Sequence, residues 1–536
     1  MKVDTKTAVL TQENTLLKEQ IADLVTQVQL LTEQNKMLQQ RLFGRKSETR
    51  LEVADDQLTL FNEAEIESDR ALPEPELEQI TYTRKKQKGK REIDFSGLPV
   101  ETLIYALPEN ERICPDCGNS LHLCGHDVIR RELVVIPAEY KVREHTGEVW
   151  SCRNCEQHSE SVPMIKTMPP APVIKGSGIA SPSLVAHIAN QKYCLALPLY
   201  RQEQEFSRNN INLSRQTMAN WLIYVSEHWL SPVYQALKSQ LVAAEILHAD
   251  ETTVQVLNEE GKKPESKSYM WLYRTSGDTD RPIVLYEYQP NRKHENAKTF
   301  LNGFSGYLHA DGYGAYHNLP PGIIPVGCWS HVRRKFADIL KSLPDYNKAG
   351  SIPMRGKEYC DTLFDLEREF ADLSFDERLK KRQELSKPVM DAFFAWAEAS
   401  RTSIFATPQS VTGKALAYAL GERKHLEVVL LDGRLEISNN RAERSIKPFF
   451  IGRKNWIFAN SEKGATASSM IYSIVETAKE NNLKPYDYLK YIFETAPNFE
   501  IGDSAQIEKL LPWNAPPECH MSAPITTEGI LSETEI

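Results

Sequence analysis

The stretch AAEILHADETTVQVL, residues 243–257, carries apolar and β-branched side chains in the pattern of a β-strand. Three more strand-like segments follow: SYMWLYRT (268–275), PIVLYEYQ (282–289) and GYLHADGYGAY (306–316). Three adjacent strands with a helix-linked fourth predict a sheet of the α/β or α+β kind. The tetrapeptide Leu-His-Ala-Asp occurs in the first and the fourth, ending at Asp250 and Asp311. In each, a short apolar strand is expected to deliver a carboxylate near its end, with His248 or His309 two residues earlier on the same face. Two such strands can hold two carboxylates over adjacent sheet edges. A third carboxylate would complete a site for two hard divalent cations.

The third is sought in LEISNNRAERSIKPFFIGRKNWIFANSEKG, residues 435–464. Asn439 and Asn440 punctuate the end of an expected short strand, and RAERSIK begins a helix. Glu443 then sits in the first helical turn, facing what the strand ends face. The same residues allow other readings. Asn440 to Glu443 is the N-x-x-E of a capping box, and Glu443 lies one turn from Lys447. Glu436, which projects away from its apolar neighbours Leu435 and Ile437, is a rival ligand. His248 and His309 read as supporting or core histidines.

Upstream, the chain is helical from about residue 175. PLYRQEQEFSRNNINLSRQTMANWL (198–222) contains a helix, a break at Asn209–Asn210, and a second helix that Ser214 would cap. This is the outline of a helix-turn-helix, with Arg215, Gln216 and Asn220 facing outward, although an ordinary helix pair has the same outline. Before it come Cys114 and Cys117, then Cys152 and Cys155 after 34 intervening residues. Two CxxC knuckles supply the four thiolates of a closed, structural zinc site. His122, Cys124 or His126 could substitute for one ligand, and buried free thiols are the plain alternative. The intervening LVVIPAEYKVREHTGEVW (133–150) alternates like strands of a zinc ribbon.

At the N-terminus Leu10, Leu17, Leu24, Leu31 and Leu38 recur every seven residues, and Asn14, Ile21, Val28, Asn35 and Leu42 follow at the paired heptad position. That pattern predicts a parallel two-stranded coiled coil, with Asn14 and Asn35 fixing its register. Residues 52–79 hold ten acids against one base and read as a solvated linker. They run into RKKQKGKR (84–91), which is either a solvated face or a phosphate-contacting arm.

The chain has 536 residues, enough for three or four domains, with 41% apolar and 26% charged residues. No apolar stretch approaches the length of a membrane span, and the first residues have no apolar core of a secretory signal, so a cytoplasmic location is expected. The net charge of −9 argues against a nucleic-acid partner if taken whole. It is unevenly spread. Residues 52–79 carry −9 and residues 499–536 carry −6, so the rest of the chain is at +6. No GxxxxGK[ST] phosphate loop is present.

The order of heptad helix, CPDC and CRNC, PLYRQEQEFSRNNINLSRQTMANW, HADET, HADGYGAY, CWSHVRRKF, NNRAERSIKPFFIGRKNW and LLPWN resembles the insertion sequence 66 family of DDE transposases, over nearly the whole chain. The resemblance implies a multidomain α+β protein with a ribonuclease-H-like α/β core. It divides the chain into a coiled-coil helix (1–48), an acidic then basic linker (49–95), a zinc-binding module (96–165), a helix-turn-helix-like region (175–235), a catalytic core (240–490) with a helical insertion at about 335–425, and a C-terminal segment with an acidic tail (491–536). By motif, Asp250, Asp311 and Glu443 match the catalytic carboxylates. They would hold Mg²⁺ or Mn²⁺ for DNA cleavage at the element's ends and strand transfer into target DNA.

Around the site, His331, Arg333, Arg334 and Lys335, and then Arg444, Lys447, Arg453 and Lys454, are candidate phosphate contacts, although each alone could equally form a structural ion pair. Trp456 could stack on a base, but in NWIFA it reads as core. The expected partners are the element's terminal inverted repeats, target DNA, further copies of the chain through the coiled coil, and accessory proteins of the same element. No membrane partner is expected, and the location would be cytoplasmic and nucleoid-associated in a bacterium. The alternative function is a catalytically inactive, dimeric DNA-binding regulator derived from a transposase.

Overall fold

The computed structural model describes residues 119, 139–151, 164–316, 319–344, 348–499 and 503–521. The heptads, the acidic and basic linker and the four CxxC cysteines lie outside them. The residues described before Pro170 belong to one compact unit and Pro170–Met521 to another. In the first, β1 (Val149–Ser151) pairs antiparallel with β2 (Met164–Lys166), Trp150 opposite Ile165. Of the alternating stretch expected to form ribbon strands, residues 139–148 carry no ladder.

The second unit begins with helices. α1 (Pro182–Tyr193) starts at Ser181, whose Oγ accepts the Leu184 N–H, with proline in its first turn. α2 (Leu199–Arg208) and α3 (Arg215–Val225) flank the expected break. Asn210 takes the left-handed conformation, φ 60°, and the N–H groups of Asn210 and Ile211 return to the carbonyls of Ser207 and Phe206. That is a Schellman stop, built on Asn rather than Gly. Ser214 Oγ accepts the Thr217 N–H at 3.1 Å and starts α3. After α4 (Ser231–Val242) the chain enters the sheet.

The sheet order is β5-β4-β3-β6-β7, with β3 (Ile246–Asn258), β4 (Lys267–Thr275), β5 (Val284–Gln289), β6 (Gly306–His309) and β7 (Ile323–Val326). β3, β4 and β5 are antiparallel, and β6 and β7 run parallel to β3. The short α5 (His294–Phe300) carries the chain from β5 to β6, as the helix-linked fourth strand predicted. Gly306 opens β6 at φ +148°, where an added Cβ would lie 2.1 Å from the Glu245 carbonyl oxygen, so only glycine fits there.

Both flanks of the sheet are covered. From β7 the chain forms α6 (Trp329–Ser342), α7 (Ile352–Glu369), α8 (Phe375–Lys381), α9 (Lys387–Ser400), α10 (Val411–Gly421) and α11 (Arg423–Leu426). Trp329, Val332, Phe336, Phe393, Phe394 and Leu416 form their shared core. Arg382, 1% exposed, is paired through both ends of its guanidinium with Glu367 and also donates to the carbonyls of Val429, Asp432 and Leu435. One buried cation therefore ties the helical insertion to the segment that leads into the next helix.

That helix is α12 (Asn440–Trp456), followed by β8 (Ala459–Ser461), α13 (Glu462–Glu480), α14 (Pro485–Thr495) and α15 (Ser504–Lys509). α13 covers the outer edge of β5. Ser473 Oγ accepts the Tyr286 N–H, and Thr477 Oγ1 both accepts from Val284 N and donates to Val284 O. Two hydroxyls thus satisfy an edge strand that would otherwise invite pairing with another chain. The α1–α3 helices share this core: Tyr193 meets Tyr472 edge-on at 4.9 Å, and its hydroxyl lies 3.2 Å from Ser468 Oγ. Among the described residues no helix is long and apolar enough to cross a membrane.

Candidate active site

β3 and β6 place the two Leu-His-Ala-Asp copies side by side. In the parallel ladder Leu247 stands opposite Leu308 and His248 opposite His309. Asp250 and Asp311 follow two residues later on their segments, near enough for Asp311 to act on the Asp250 carboxyl. The two imidazoles are fully buried and stacked, 4.2 Å between centroids and 8° between planes. Burial lowers the basicity of both, that of His248 to about 3, so the stack is neutral.

The copies then diverge. Asp250 is the fifth residue of a 13-residue strand rather than near its end, as the sequence predicted. β3 runs on because Glu251–Gln255 keep pairing with Lys267–Trp271 of β4. β6 stops at His309, and Asp311 sits in the loop beyond it, its Oδ1 accepting the Tyr313 N–H at 3.0 Å. Gly312 allows this loop to approach α10: a Cβ there would lie 2.7 Å from the Tyr418 ring.

Burial holds the Asp250 carboxyl well above the ordinary carboxylate range, and Glu251, Glu443 and Asp311 push it further the same way. A backbone N–H from Glu251, at 2.8 Å, opposes them. Asp250 thus sits in an excess of negative charge that a cation would relieve. Glu251 itself is clamped: Arg292 Nε donates to Oε1 at 2.7 Å and the Tyr316 hydroxyl donates to Oε2. Arg292 lies over the Tyr313 ring and accepts, through its carbonyl, the Tyr313 hydroxyl at 2.6 Å. Arg292, Lys293, His294 and Tyr313 line an open cavity of about 530 Å³.

Glu443 enters from the first turn of α12. The expected strand before that helix does not form: residues 432–439 are turns and bends, held by Arg382 rather than by a ladder. Nor does a capping box form. The N-cap is Asn439 and makes no side-chain cap bond, because its amide is used elsewhere. Asn439 Nδ2 donates to Ala249 O at 2.8 Å, Oδ1 pairs with His248 Nδ1 at 3.0 Å, the backbone N–H donates to Cys328 Sγ, and the carbonyl accepts the Glu443 N–H. One side chain therefore joins the strand bearing Asp250 to the turn bearing Glu443. The sequence reading treated Asn439 only as punctuation. Its signal, a second Asn where one would end a strand, was present but carried no partner.

Glu443 Oε2 pairs with Arg334 Nη2 at 2.9 Å, and Oε1 lies 3.7 Å from His331 Nε2. The rival Glu436 is paired with Arg441 at 2.5 Å and lies 4.0 Å from His248 Nε2. Its backbone N–H donates to His309 Nε2. Glu443 is among the groups that raise the Asp250 carboxyl.

The candidate DNA contacts divide. Arg333 is paired with Asp361 at 2.5 Å and Arg334 with Glu443 at 2.9 Å. Lys335 lies over the Tyr418 ring. Arg444 is exposed and, with Arg274 and Arg441, lines a cavity of about 260 Å³ that also holds Glu476 and Glu480. Lys447 is half-buried. Arg453 donates to Thr253 Oγ1, and it and Lys454 lie over Phe450. Trp456 packs edge-on against Phe449, as a core residue does. On α3, Arg215, Gln216 and Asn220 are exposed on one face as expected. Gln216 donates to Asn220, and Arg215 lies beside Glu203 and over Tyr200.

Comparison with known proteins adds the family context. Residues 177–467 match the family model described as transposase IS66 family. Residues 111–156, which include all four CxxC cysteines, match the zinc-finger binding domain of transposase IS66. Residues 473–513 match the IS66 C-terminal element, and residues 30–102 match transposase C of IS166 homeodomain. Similar curated proteins include the uncharacterized protein y4qI of Sinorhizobium fredii, 31% identical over 504 residues that cover 91% of this chain and 89% of that protein. The uncharacterized protein y4hP of the same organism is 29% identical, over 81% of this chain and 78% of its own.

Proposed function

Because the chain belongs to the IS66 transposase family, we propose that its mixed sheet is a ribonuclease-H-like catalytic core that cuts DNA at the ends of a mobile element and joins the freed ends to target DNA. Asp250, Asp311 and Glu443 are the carboxylates that hold the divalent cations. The observation that carries this reading is the Asp250 carboxyl, held above its ordinary range by burial and by the charges of Glu251, Glu443 and Asp311. Carboxylates crowded this way, with no cation among their immediate partners at Asp250, fit a Mg²⁺ or Mn²⁺ site. The antiparallel β3–β5 meander followed by parallel β6 and β7 supports the fold assignment.

Bound there, two such ions would activate an attacking oxygen and neutralise the charge on the leaving one. The chain's own groups prepare the geometry. Asp250 is fixed by a central strand, Asp311 by the Tyr313 N–H, and Glu443 by the Asn439 carbonyl. Glu251 stays out of the ligand set because Arg292 and Tyr316 occupy both of its oxygens. Arg334, half-exposed, can exchange Glu443 for a DNA phosphate when cations take over that carboxylate.

Arg215, Gln216 and Asn220 would read or grip DNA from α3, and Arg444, Lys447, Arg453 and Lys454 would follow the strand leaving the site. Cys114, Cys117, Cys152 and Cys155 would hold structural Zn²⁺. The heptads of residues 1–48 would pair two copies across the two element ends. Accessory proteins of the element, and nucleoid association in the cytoplasm, belong to the same proposal.

The test is end nicking and strand joining on duplexes that carry the element's ends, with and without Mg²⁺. Wild-type protein should do both, and Asp250→Asn, Asp311→Asn and Glu443→Gln should each lose both while still binding ends. Tight end binding with no cleavage by wild type would favour the inactive regulator instead.

A further inference from the structure

Cys328, His331 and Glu443 each offer a ligand atom within 4.8 Å of the other two. Cys328 caps α6 and His331 is the third residue of that helix, so the CxxH spacing brings both side chains to one side. Glu443 meets them from α12. The trio is poorly satisfied as it stands. Glu443 Oε1 is buried with no hydrogen-bond partner among the described residues, a condition that a bound cation would relieve. His331 Nε2 and Glu443 Oε1, 3.7 Å apart, are already near the separation of two ligands on one tetrahedral ion, about 3.4 Å for bonds of about 2.0–2.1 Å.

We propose that Cys328, His331 and Glu443 form a binding site for a borderline-soft divalent cation such as Zn²⁺, with a fourth position open. A thiolate, an imidazole and one carboxylate oxygen are the ligands such an ion prefers and Mg²⁺ does not. Binding releases the Cys328 thiol proton to solvent. The surroundings suit the bound state: the Asn439 N–H points at Cys328 Sγ at 3.2 Å, and Arg334 holds the other oxygen of Glu443. The consequence, which rests on the catalytic reading of Glu443, is competition. An ion seated here takes the third carboxylate away from Asp250 and Asp311, so Zn²⁺ inhibits the reaction that Mg²⁺ supports.

The test is Co²⁺ titration of the metal-stripped full-length protein, read by thiolate-to-cobalt charge-transfer absorption, which a carboxylate-only site lacks. A variant lacking Cys114, Cys117, Cys152 and Cys155 should retain a single-thiolate band. Adding Cys328→Ser to it should abolish that band, and adding His331→Gln or Glu443→Gln should weaken binding at least about tenfold. Glu443 is half-exposed, so its variant serves even if Cys328→Ser misfolds. No band in that four-cysteine variant, or one that survives Cys328→Ser, overturns the site. Failure of DNA cleavage with the band intact would count against the catalytic reading alone.

Discussion

The same four residues, Leu-His-Ala-Asp, occur twice and end in different environments. The copy at 247–250 lies inside β3, paired with β4 throughout and with β6 as far as His248, and its Asp250 is half-buried among other acids. The copy at 308–311 runs off the end of β6, and its Asp311 is held by a single backbone N–H in a loop. What they share is the histidine. His248 and His309 stack as partners across the ladder, two residues before each aspartate. The repeat therefore encodes alignment first. The carboxylates are then given unequal settings, one rigid and strained by charge, the other on a shorter tether.

Exchanging each carboxylate for its amide breaks the pair most severely. Asp250→Asn and Asp311→Asn should each lower DNA cleavage by at least about 10³-fold, the scale of removing one pre-organised charge-stabilising group. They should differ in stability. Asp250→Asn relieves the crowded charge and should raise the melting temperature of the metal-free protein by about 2–4 °C for each kcal/mol gained, whereas Asp311→Asn should not. Equal melting temperatures would remove the asymmetry.

Asn439→Ala tests the link from the first copy to Glu443. It leaves the Ala249 carbonyl and His248 Nδ1 unpaired, at about 1–3 kcal/mol each. It should lower cleavage about 10²-fold through misplacement of Glu443, with end binding kept. A variant that destabilises the fold yet keeps full cleavage would show that Asn439 does not position the site.

The smallest effect is in pH. A carboxyl whose folded pKa is raised binds its proton more tightly in the folded chain, so the stability it contributes is present at low pH and declines as pH rises above the ordinary carboxylate value. For Asp250 that decline should begin near pH 4 and continue upward. The stability difference between Asp250→Asn and wild type, measured by denaturant unfolding without metal, should therefore grow with pH and shrink when Mg²⁺ is added. A difference flat in pH would mean the carboxyl is not under charge stress.

Much of this was legible because local chemistry dictated it. The strands of the meander followed from their apolar periodicity, the stop after α2 from its asparagines, and the start of α3 from Ser214. Glu443 fell in the first turn of α12 as its position after Asn439–Asn440 implied. What stayed hidden depends on partners far away in sequence. β3 continues past Asp250 because β4 pairs with it, and residues 432–439 are ordered by Arg382 rather than by a ladder. The clamp on Glu251 needs Arg292 and Tyr316, and the role of Asn439 needs Ala249 and His248. The ion pairs of Arg333 and Arg334 need Asp361 and Glu443, 28 and 109 residues away.

The most direct test of the central claim is anomalous diffraction from crystals of the full-length protein soaked in Mn²⁺. The account predicts manganese between Asp250 and Asp311, with Glu443 turned from Arg334 to complete the coordination. Manganese bound through Glu436, or none between the two aspartates, would contradict it.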